Sequence, residues 1–488
     1  MAEFEFDDET IAKLFGTEAA EDEDFSRLQS YYVKNKTHKN LSSNLPIRIL
    51  VGHKGIGKSA IFQMAHYEDE KLNKISIIIH PDDIAEFGRK GTDFHQMIRD
   101  WKEGLIEIIA SRVLENVDIN IDNNVVKSGV RGVGKIINFV GQIFDDKIKA
   151  NVDLIPAKKE MISRFLIEKN IIVYIDDLDR GWESKKEDIQ RISALLNAIR
   201  DLCNENKGLK IRISLRSDVY YLVRTSDEST DKIEGYVLWH SWSNHEILLL
   251  LIKRIEAFWG RDFDTSKFRS SHQKDLAGYL NTIFDNRFED VGKWSNAPMY
   301  RVLMSLIRKR PRDLVKLCSL AARNAFDNDS AKITTNNLKA VFSEYSQGRI
   351  QDTINEYRSE LPAIERLLFG MKPSRNEVRE HKGWIYTTPE LRNKINNIMQ
   401  SGDFILKNGV KASEKNLAQF LYKINFLTAR KELEDGTIVR FYFEEKQYLA
   451  PNYADFGYVW EIHPAFRWAL SPDVDSMPLL EVDLSNEG

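Results

Sequence analysis

Ile47-Arg48-Ile49-Leu50-Val51, a short β-branched run behind Pro46, leads straight into Gly52-His53-Lys54-Gly55-Ile56-Gly57-Lys58-Ser59, and the helical stretch Ala60 to His66 follows. The octapeptide fits G-x-x-x-x-G-K-[ST], and the order strand, glycine loop, helix is the one a phosphate-binding loop requires. Glycines let successive backbone N–H groups wrap a polyphosphate without Cβ clashes, and the helix presents its positive end to the same charge. Nucleotide contacts are therefore expected from Gly52, His53, Lys54, Gly55, Ile56, Gly57, Lys58, Ser59 and Ala60. Lys58 is placed on the β- and γ-phosphates, and the Ser59 hydroxyl at a magnesium position.

A loop of this kind needs a second strand that ends in carboxylates. Ile171-Ile172-Val173-Tyr174-Ile175 runs into Asp176-Asp177-Leu178-Asp179-Arg180, five apolar residues before acids, which is the pattern of a central parallel strand buried on both faces. Ligands gather at the carboxyl ends of such strands. Asp176 is assigned to magnesium, directly or through water, and Asp177 to polarising the attacking water; Asp179 is left without a role. Ile75 to Ile79 and Ile211 to Leu215 read as further buried strands. Between them Phe94, Ile98, Trp101 and Leu105, and then Ile189, Ile192, Leu196 and Ile199, recur at helical spacing. The fold class is α/β, a parallel sheet covered by helices on both faces. Arg216, at the end of the last strand, either reports the γ-phosphate or pairs with Asp218.

Composition sets the frame. The chain has 488 residues, 42% apolar and 30% charged, with 25 Gly and 12 Pro, which excludes disordered and fibrous classes and predicts several domains. The longest aliphatic run, Ile247 to Ile252, falls far short of the roughly 20 residues of a membrane helix. Two cysteines cannot make a disulfide framework, so a cytosolic location is expected. The first thirty residues hold ten acidic and two basic residues, yet Phe4, Phe6, Ile11, Leu14 and Phe15 suggest a segment that docks. Boundaries are expected at 1–40 for this acidic segment, 41–240 for the ATP-binding core with an insert at about 116–156, 241–350 for a helical lid and 351–488 for a C-terminal module. Within the insert, Gly129-Val130-Arg131-Gly132-Val133-Gly134-Lys135-Ile136 repeats the glycine and lysine spacing, but Ile136 lacks the hydroxyl that magnesium needs, and it reads as a decoy.

GHKGIGKS and IIVYIDDLDR together resemble the KAP and STAND branches of the P-loop ATPases, where an Asp-Asp-x-Asp box replaces the Asp-Glu of most AAA+ enzymes. Phe15-Gly16-Thr17-Glu18-Ala19, Trp242-Ser243, Arg310-Pro311-Arg312-Asp313-Leu314 and Ile462-His463-Pro464-Ala465-Phe466-Arg467 are similar to bacterial P-loop ATPases related to those branches. The resemblance implies an ATP-driven molecular switch of the antiphage-defence kind, which assembles with itself or with an effector protein and is reset by hydrolysis. It gives Arg216 a sensor role after the acidic box and Arg312 a sensor role on the lid. Pro311 suits the first turn of a helix that would present Arg312 near its positive end; a surface cation among Arg308, Lys309 and Arg310 is the other reading. Two departures stand out: no membrane helix interrupts the core, and no repeat array follows it.

ATP is preferred to GTP because none of the Asn-Lys pairs starting at 35, 73, 206 and 393 has Asp two residues later, so the guanine-reading Asn-Lys-x-Asp does not occur. The basic run from Arg308 to Lys316 reads as a solvated helix end or a phosphate contact. In the C-terminal module Leu417, Leu421, Ile424 and Leu427 suggest a helix, followed by a hairpin turning at Asp435-Gly436, which together resemble a winged helix. Glu432, Glu434, Glu444 and Glu445 flank that hairpin and would repel phosphates, so protein contact is favoured over DNA. A DNA-binding ATPase and a slow-hydrolysing regulatory ATP binder are the alternatives.

Overall fold

The computed structural model describes residues 4–17, 22–88, 93–116, 119–120, 125–126, 170–226, 228–290, 294–380, 382–407, 409–434, 438–449 and 456–471. Most of the insert at 116–156, its Gly129 to Ile136 stretch and the Asp435-Gly436 turn lie outside them. Packing divides the chain into a sheet unit, residues 34–53 and 58–240, and a helical unit made of Met1–Val33, Lys54–Gly57 and Ser241–Gly488.

The sheet unit is built on five parallel strands: β1 (Ile47–Gly52), β2 (Ile75–Ile79), β3 (Ile171–Ile175), β4 (Leu209–Arg216) and β5 (Val237–Trp239), in the order β2-β3-β4-β1-β5. In β1, β2 and β3, runs of Ile and Val with little polar alternation suit strands whose two faces are both covered. Because successive side chains point to opposite faces, Ile47, Ile49 and Val51 of β1 share one face with Val173, Ile175, Ile211 and Ile213. That face is covered by the helices Phe94–Asn116, Lys186–Glu205 and Ser217–Ser226 through Trp101, Leu105, Leu195, Ile199 and Val219. On the other face Tyr174 meets Phe62 of helix Lys58–Lys71 edge-on, and its hydroxyl donates to Asp69 at 2.7 Å. Helices therefore lie on both faces, and β4 separates the loop-bearing strand β1 from the acid-bearing strand β3.

In the helical unit, Asp8–Phe15 is capped by Asp7, whose side chain accepts from Thr10 N at 2.7 Å, and buries Ile11, Leu14 and Phe15. It packs on helices Asn244–Phe258 and Pro311–Asp327. Helix Thr335–Tyr357 lies along Pro311–Asp327. The C-terminal part places helices Thr388–Met399 and Glu414–Lys423 against an antiparallel sheet of β6 (Ile385–Tyr386), β7 (Leu427–Glu432), β8 (Ile438–Phe441) and β9 (Val459–Ile462), in the order β6-β9-β7-β8. Strand, helix, helix and hairpin follow one another as in a winged helix. Its core holds a charge cluster: fully buried Glu461 accepts from Arg440 at 2.6 and 3.0 Å and from Arg467 at 2.5 Å. Burial alone would raise the Glu461 carboxyl, and the neighbouring guanidiniums of Arg440 and Arg467 overturn that and hold it below its usual range.

The basic run is corrected by the structure. Arg308, Lys309 and Arg310 are all buried. Arg308 pairs with Asp313 at 2.7 Å, Lys309 with Glu445 at 2.9 Å and Arg310 with Glu356 at 3.3 Å. These three cations are not a solvated helix end, because Arg308 and Arg310 are paired with the buried acids Asp313 and Glu356 and Lys309 with Glu445.

Candidate functional site

Within the sheet unit, β1 delivers Gly52 and His53, and the helix Lys58–Lys71 begins with Lys58, Ser59 and Ala60. Lys58 Nζ donates to the carbonyls of Gly52 at 3.0 Å and His53 at 3.2 Å, so the ammonium lies over the mouth of the loop. Buried His53 is tied through Nδ1 to the hydroxyl of Ser217 at 3.0 Å, which links the loop to the residue that follows Arg216.

The middle of the loop, Lys54–Gly57, packs within the helical unit. Gly55 and Gly57 have φ of +76° and +94°, a region in which only glycine is unstrained. A Cβ on Gly55 would come within 2.9 Å of Arg312 Cβ, whereas one on Gly57 would meet nothing within 4 Å. Arg312 N–H donates to the Gly55 carbonyl at 3.4 Å, and the Trp242 indole donates to the Ile56 carbonyl at 2.8 Å. Arg312 thus sits against Gly55 of the loop, in the first turn of helix Pro311–Asp327.

Three acids follow β3. Asp176 accepts from the Ser214 hydroxyl of neighbouring β4 and from Asp177 N–H at 2.9 Å, so its carboxylate is fixed at the end of the sheet. Asp177 is exposed, with φ +53°, a conformation costly outside glycine, and its carbonyl accepts from Arg180 N–H at 3.0 Å. Leu178 turns back into the core. Asp179, which sequence left without a role, lies 3.5 Å from Arg216. Burial raises its carboxyl, while the charges of Arg216 and then Lys58 pull it back down. Gly52, at the base of the loop, stands in register with Arg216, so Arg216 connects the loop with the acidic box inside one unit. Arg216 also grips Asp218 through two bonds of 3.1 and 2.7 Å, the pairing that sequence gave as the alternative to a sensor.

Beside the box, a cavity of about 220 Å³ is walled by Asp82, Trp101, Leu178, Arg180 and Arg191. Arg191 spends its guanidinium on the carbonyls of Phe87 and Ile84 and lies over the Trp101 ring, so this wall is structural packing. Among the described residues no group of three or more His, Cys, Asp or Glu side chains is arranged to hold a metal ion. A loop that binds Mg²⁺ through one hydroxyl, one acid, phosphate oxygens and water needs no such cage. Within the sheet unit, the hydroxyl and ammonium at the helix start and the fixed Asp176 are groups of the kind that hold a magnesium-bound polyphosphate.

Ser214, Ser217, Trp242 and Glu356 were not assigned from sequence, although the Trp242-Ser243 pair was singled out. Fold and loop together make a parallel α/β sheet with a glycine loop between its first strand and the following helix. Residues 264–354 match the model of the FunZ-associated C-terminal helical domain. The chain is 22% identical over 452 residues to the putative transposon gamma-delta 80.3 kDa protein of Escherichia coli (strain K12), across 85% of its own length. It spans 61% of the length of that relative. Among solved structures, it is similar to the Aeropyrum pernix ORC2 protein, in ADPNP-ADP complexes, with a TM-score of 0.39 and 10% identity over 86% of this chain and 84% of that one. It is also similar to the Thermotoga maritima RuvB Holliday junction branch migration motor, with a TM-score of 0.34 and 11% identity over 87% of this chain and 96% of that one. No helix among the described residues is long and apolar enough to cross a membrane.

Proposed function

We propose that this chain is a Mg²⁺-dependent ATPase acting as a molecular switch that assembles with itself or with an effector protein, in a bacterial antiphage defence system. The observation that carries the ATPase part is the phosphate loop with Lys58 at its base, set in one sheet with the acids of β3: Gly52 stands in register with Arg216, which lies 3.5 Å from Asp179. Lys58 and the backbone of Gly52 to Ala60 hold the phosphates, and Ser59 and Asp176 hold the magnesium. Bound Mg-ATP supplies the phosphoryl group to be transferred. Asp177 orients the attacking water and accepts its proton; its exposure and forced backbone turn suit a group that meets solvent. Arg216 and Arg312 act as the sensors, the first through Asp179 and Asp218, the second through the Gly55 carbonyl. Mass measured with and without Mg-ATP tests the switch. A nucleotide-dependent change in assembly is expected, and a mass indifferent to ATP counts against it.

A DNA-binding ATPase is favoured as the second reading by one observation. Of the four acids that argued against phosphate contact, Glu445 is paired with Lys309 at 2.9 Å, which leaves a less acidic hairpin than the sequence suggests. The relative's name marks it as a transposon protein, a second pointer to DNA. Duplex binding that stimulates hydrolysis and weakens steeply with salt would select this reading, because phosphate contacts release counterions.

A further inference from the structure

The cavity beside the acidic box lies wholly within the sheet unit, and two of the charges on its wall are unspent. Its apolar lining is made by Ile84, Trp101, Leu178 and Ile192, all buried. Arg191 is committed to the carbonyls of Phe87 and Ile84, and Asp83, outside the wall, is committed to Arg112 at 3.2 Å and to His80 N–H at 2.9 Å. Asp82 and Arg180 differ. Both line the cavity, both are exposed, and among the described residues the side chain of neither enters a hydrogen bond or an ion pair. At about 220 Å³ the space falls below the roughly 300–1,000 Å³ of drug-sized sites, so its ligand is a small molecule. The wall sets the chemistry of that molecule. It needs an apolar body to displace water from Trp101 and Leu178, a carboxylate that a guanidinium takes through two parallel bonds, and a cationic group for Asp82.

We propose that this cavity binds a free α-amino acid with an apolar side chain of about leucine size, its carboxylate on Arg180, its ammonium on Asp82 and its side chain against Ile84, Trp101 and Leu178. Such a ligand carries both charges on one carbon, so a single small molecule meets both; a neutral apolar molecule meets neither and a simple anion only one. The site also touches the acidic box. Arg180 N–H donates to the Asp177 carbonyl at 3.0 Å, and Gly181, which lines the same cavity, has φ +78°. A ligand held by Arg180 therefore steadies the turn on which Asp177 stands. The site goes beyond the nucleotide reading and stands without it.

The test is calorimetric titration of the full chain with L-leucine and with two analogues that each lack one of its charges, isocaproate and isoamylamine. Wild type is expected to take up L-leucine saturably at about millimolar concentration or below, and each analogue at least about tenfold more weakly, because one charge-assisted bond is gone. Arg180→Gln and Asp82→Asn change exposed side chains and leave the fold intact. Arg180→Gln should weaken L-leucine at least about tenfold without changing isoamylamine, and Asp82→Asn should weaken it as much without changing isocaproate. Amide hydrogen exchange locates the site: with L-leucine at ten times its dissociation constant, exchange over residues 177–182 should slow about tenfold. No uptake of L-leucine by wild type, analogues that bind as tightly as L-leucine, unchanged affinity in both variants, or protection confined to other segments overturns the proposal. None of these readouts uses a nucleotide, so failure here is separate from failure of the ATPase reading.

Discussion

Asp313→Asn should unfasten the part of the helical unit that carries Arg310 and Arg312. Asp313 accepts from Arg308 Nε at 2.7 Å, Arg308 Nη2 at 3.0 Å, Arg308 N–H at 3.2 Å and Arg349 Nη1 at 2.6 Å, and all three side chains are buried. Burial by itself would raise the Asp313 carboxyl, but the two guanidiniums reverse that and hold it far below the usual carboxylate range. The amide cannot balance two interior cations, and breaking a buried ion pair in this way costs about 3–5 kcal/mol. At about 1.4 kcal/mol per factor of ten, amide hydrogen exchange in helices Pro311–Asp327 and Thr335–Tyr357 should accelerate by about two to more than three orders of magnitude. The triple replacement Arg308→Met, Asp313→Leu and Arg349→Met removes the charges together and should be more stable than Asp313→Asn, because matched apolar groups carry no desolvation cost. Exchange within about fivefold of wild type for Asp313→Asn, or a triple variant weaker than the single one, would refute this reasoning.

Gly55→Ala forces a β-carbon into a φ of +76° and to within 2.9 Å of Arg312, so nucleotide affinity should fall at least about tenfold; Gly57→Ala, with open space around it, should lose less, and equal losses in a titration would contradict the assigned contact. Asp177→Asn should keep Mg-ATP affinity and slow steady-state phosphate release by about a hundredfold or more, since the amide cannot accept the water's proton; unchanged turnover would move the base elsewhere, with Asp179 next to be tried. Burial pushes the Glu444 carboxyl up to about 7, against the pull of Asn425 and Arg310. The folded chain then keeps a proton that the unfolded chain releases near 4.5, so the stabilisation is full below about 4.5 and is lost as pH rises through about 7. That gap sets a ceiling of about 3.5 kcal/mol at about 1.4 kcal/mol per pH unit. Denaturation midpoints of Glu444→Gln should be flatter over this window than those of wild type.

Four of the five sheet strands were legible because β1, β2 and β3 are nearly unbroken apolar runs and β4 alternates apolar with polar residues, and the glycine loop after β1 and the acids after β3 announced what those two carry. β5, Val237–Trp239, was not, since three half-buried residues show neither period nor length. The loop and the acidic box were legible for the same local reason. The anchors of the loop were not: Trp242, Arg310 and Glu356 reach Ile56 and Lys54 from 186, 256 and 302 residues away. Local spacing reports which face a side chain occupies and is silent on which distant charge it will meet. The basic run shows the same limit, because Arg308 finds Asp313 five residues on, while Arg310 and Lys309 find Glu356 and Glu445 at separations of 46 and 136.

The central claim is that the loop ending at Ser59 and the acid at Asp176 serve one magnesium-bound adenine nucleotide. Equilibrium titration of the chain with labelled ATP, with and without Mg²⁺, beside Lys58→Ala, tests it most directly. Saturable, Mg²⁺-dependent uptake by wild type with most of the affinity gone in Lys58→Ala is the expected result; no uptake by wild type, or equally tight uptake by Lys58→Ala, would contradict it.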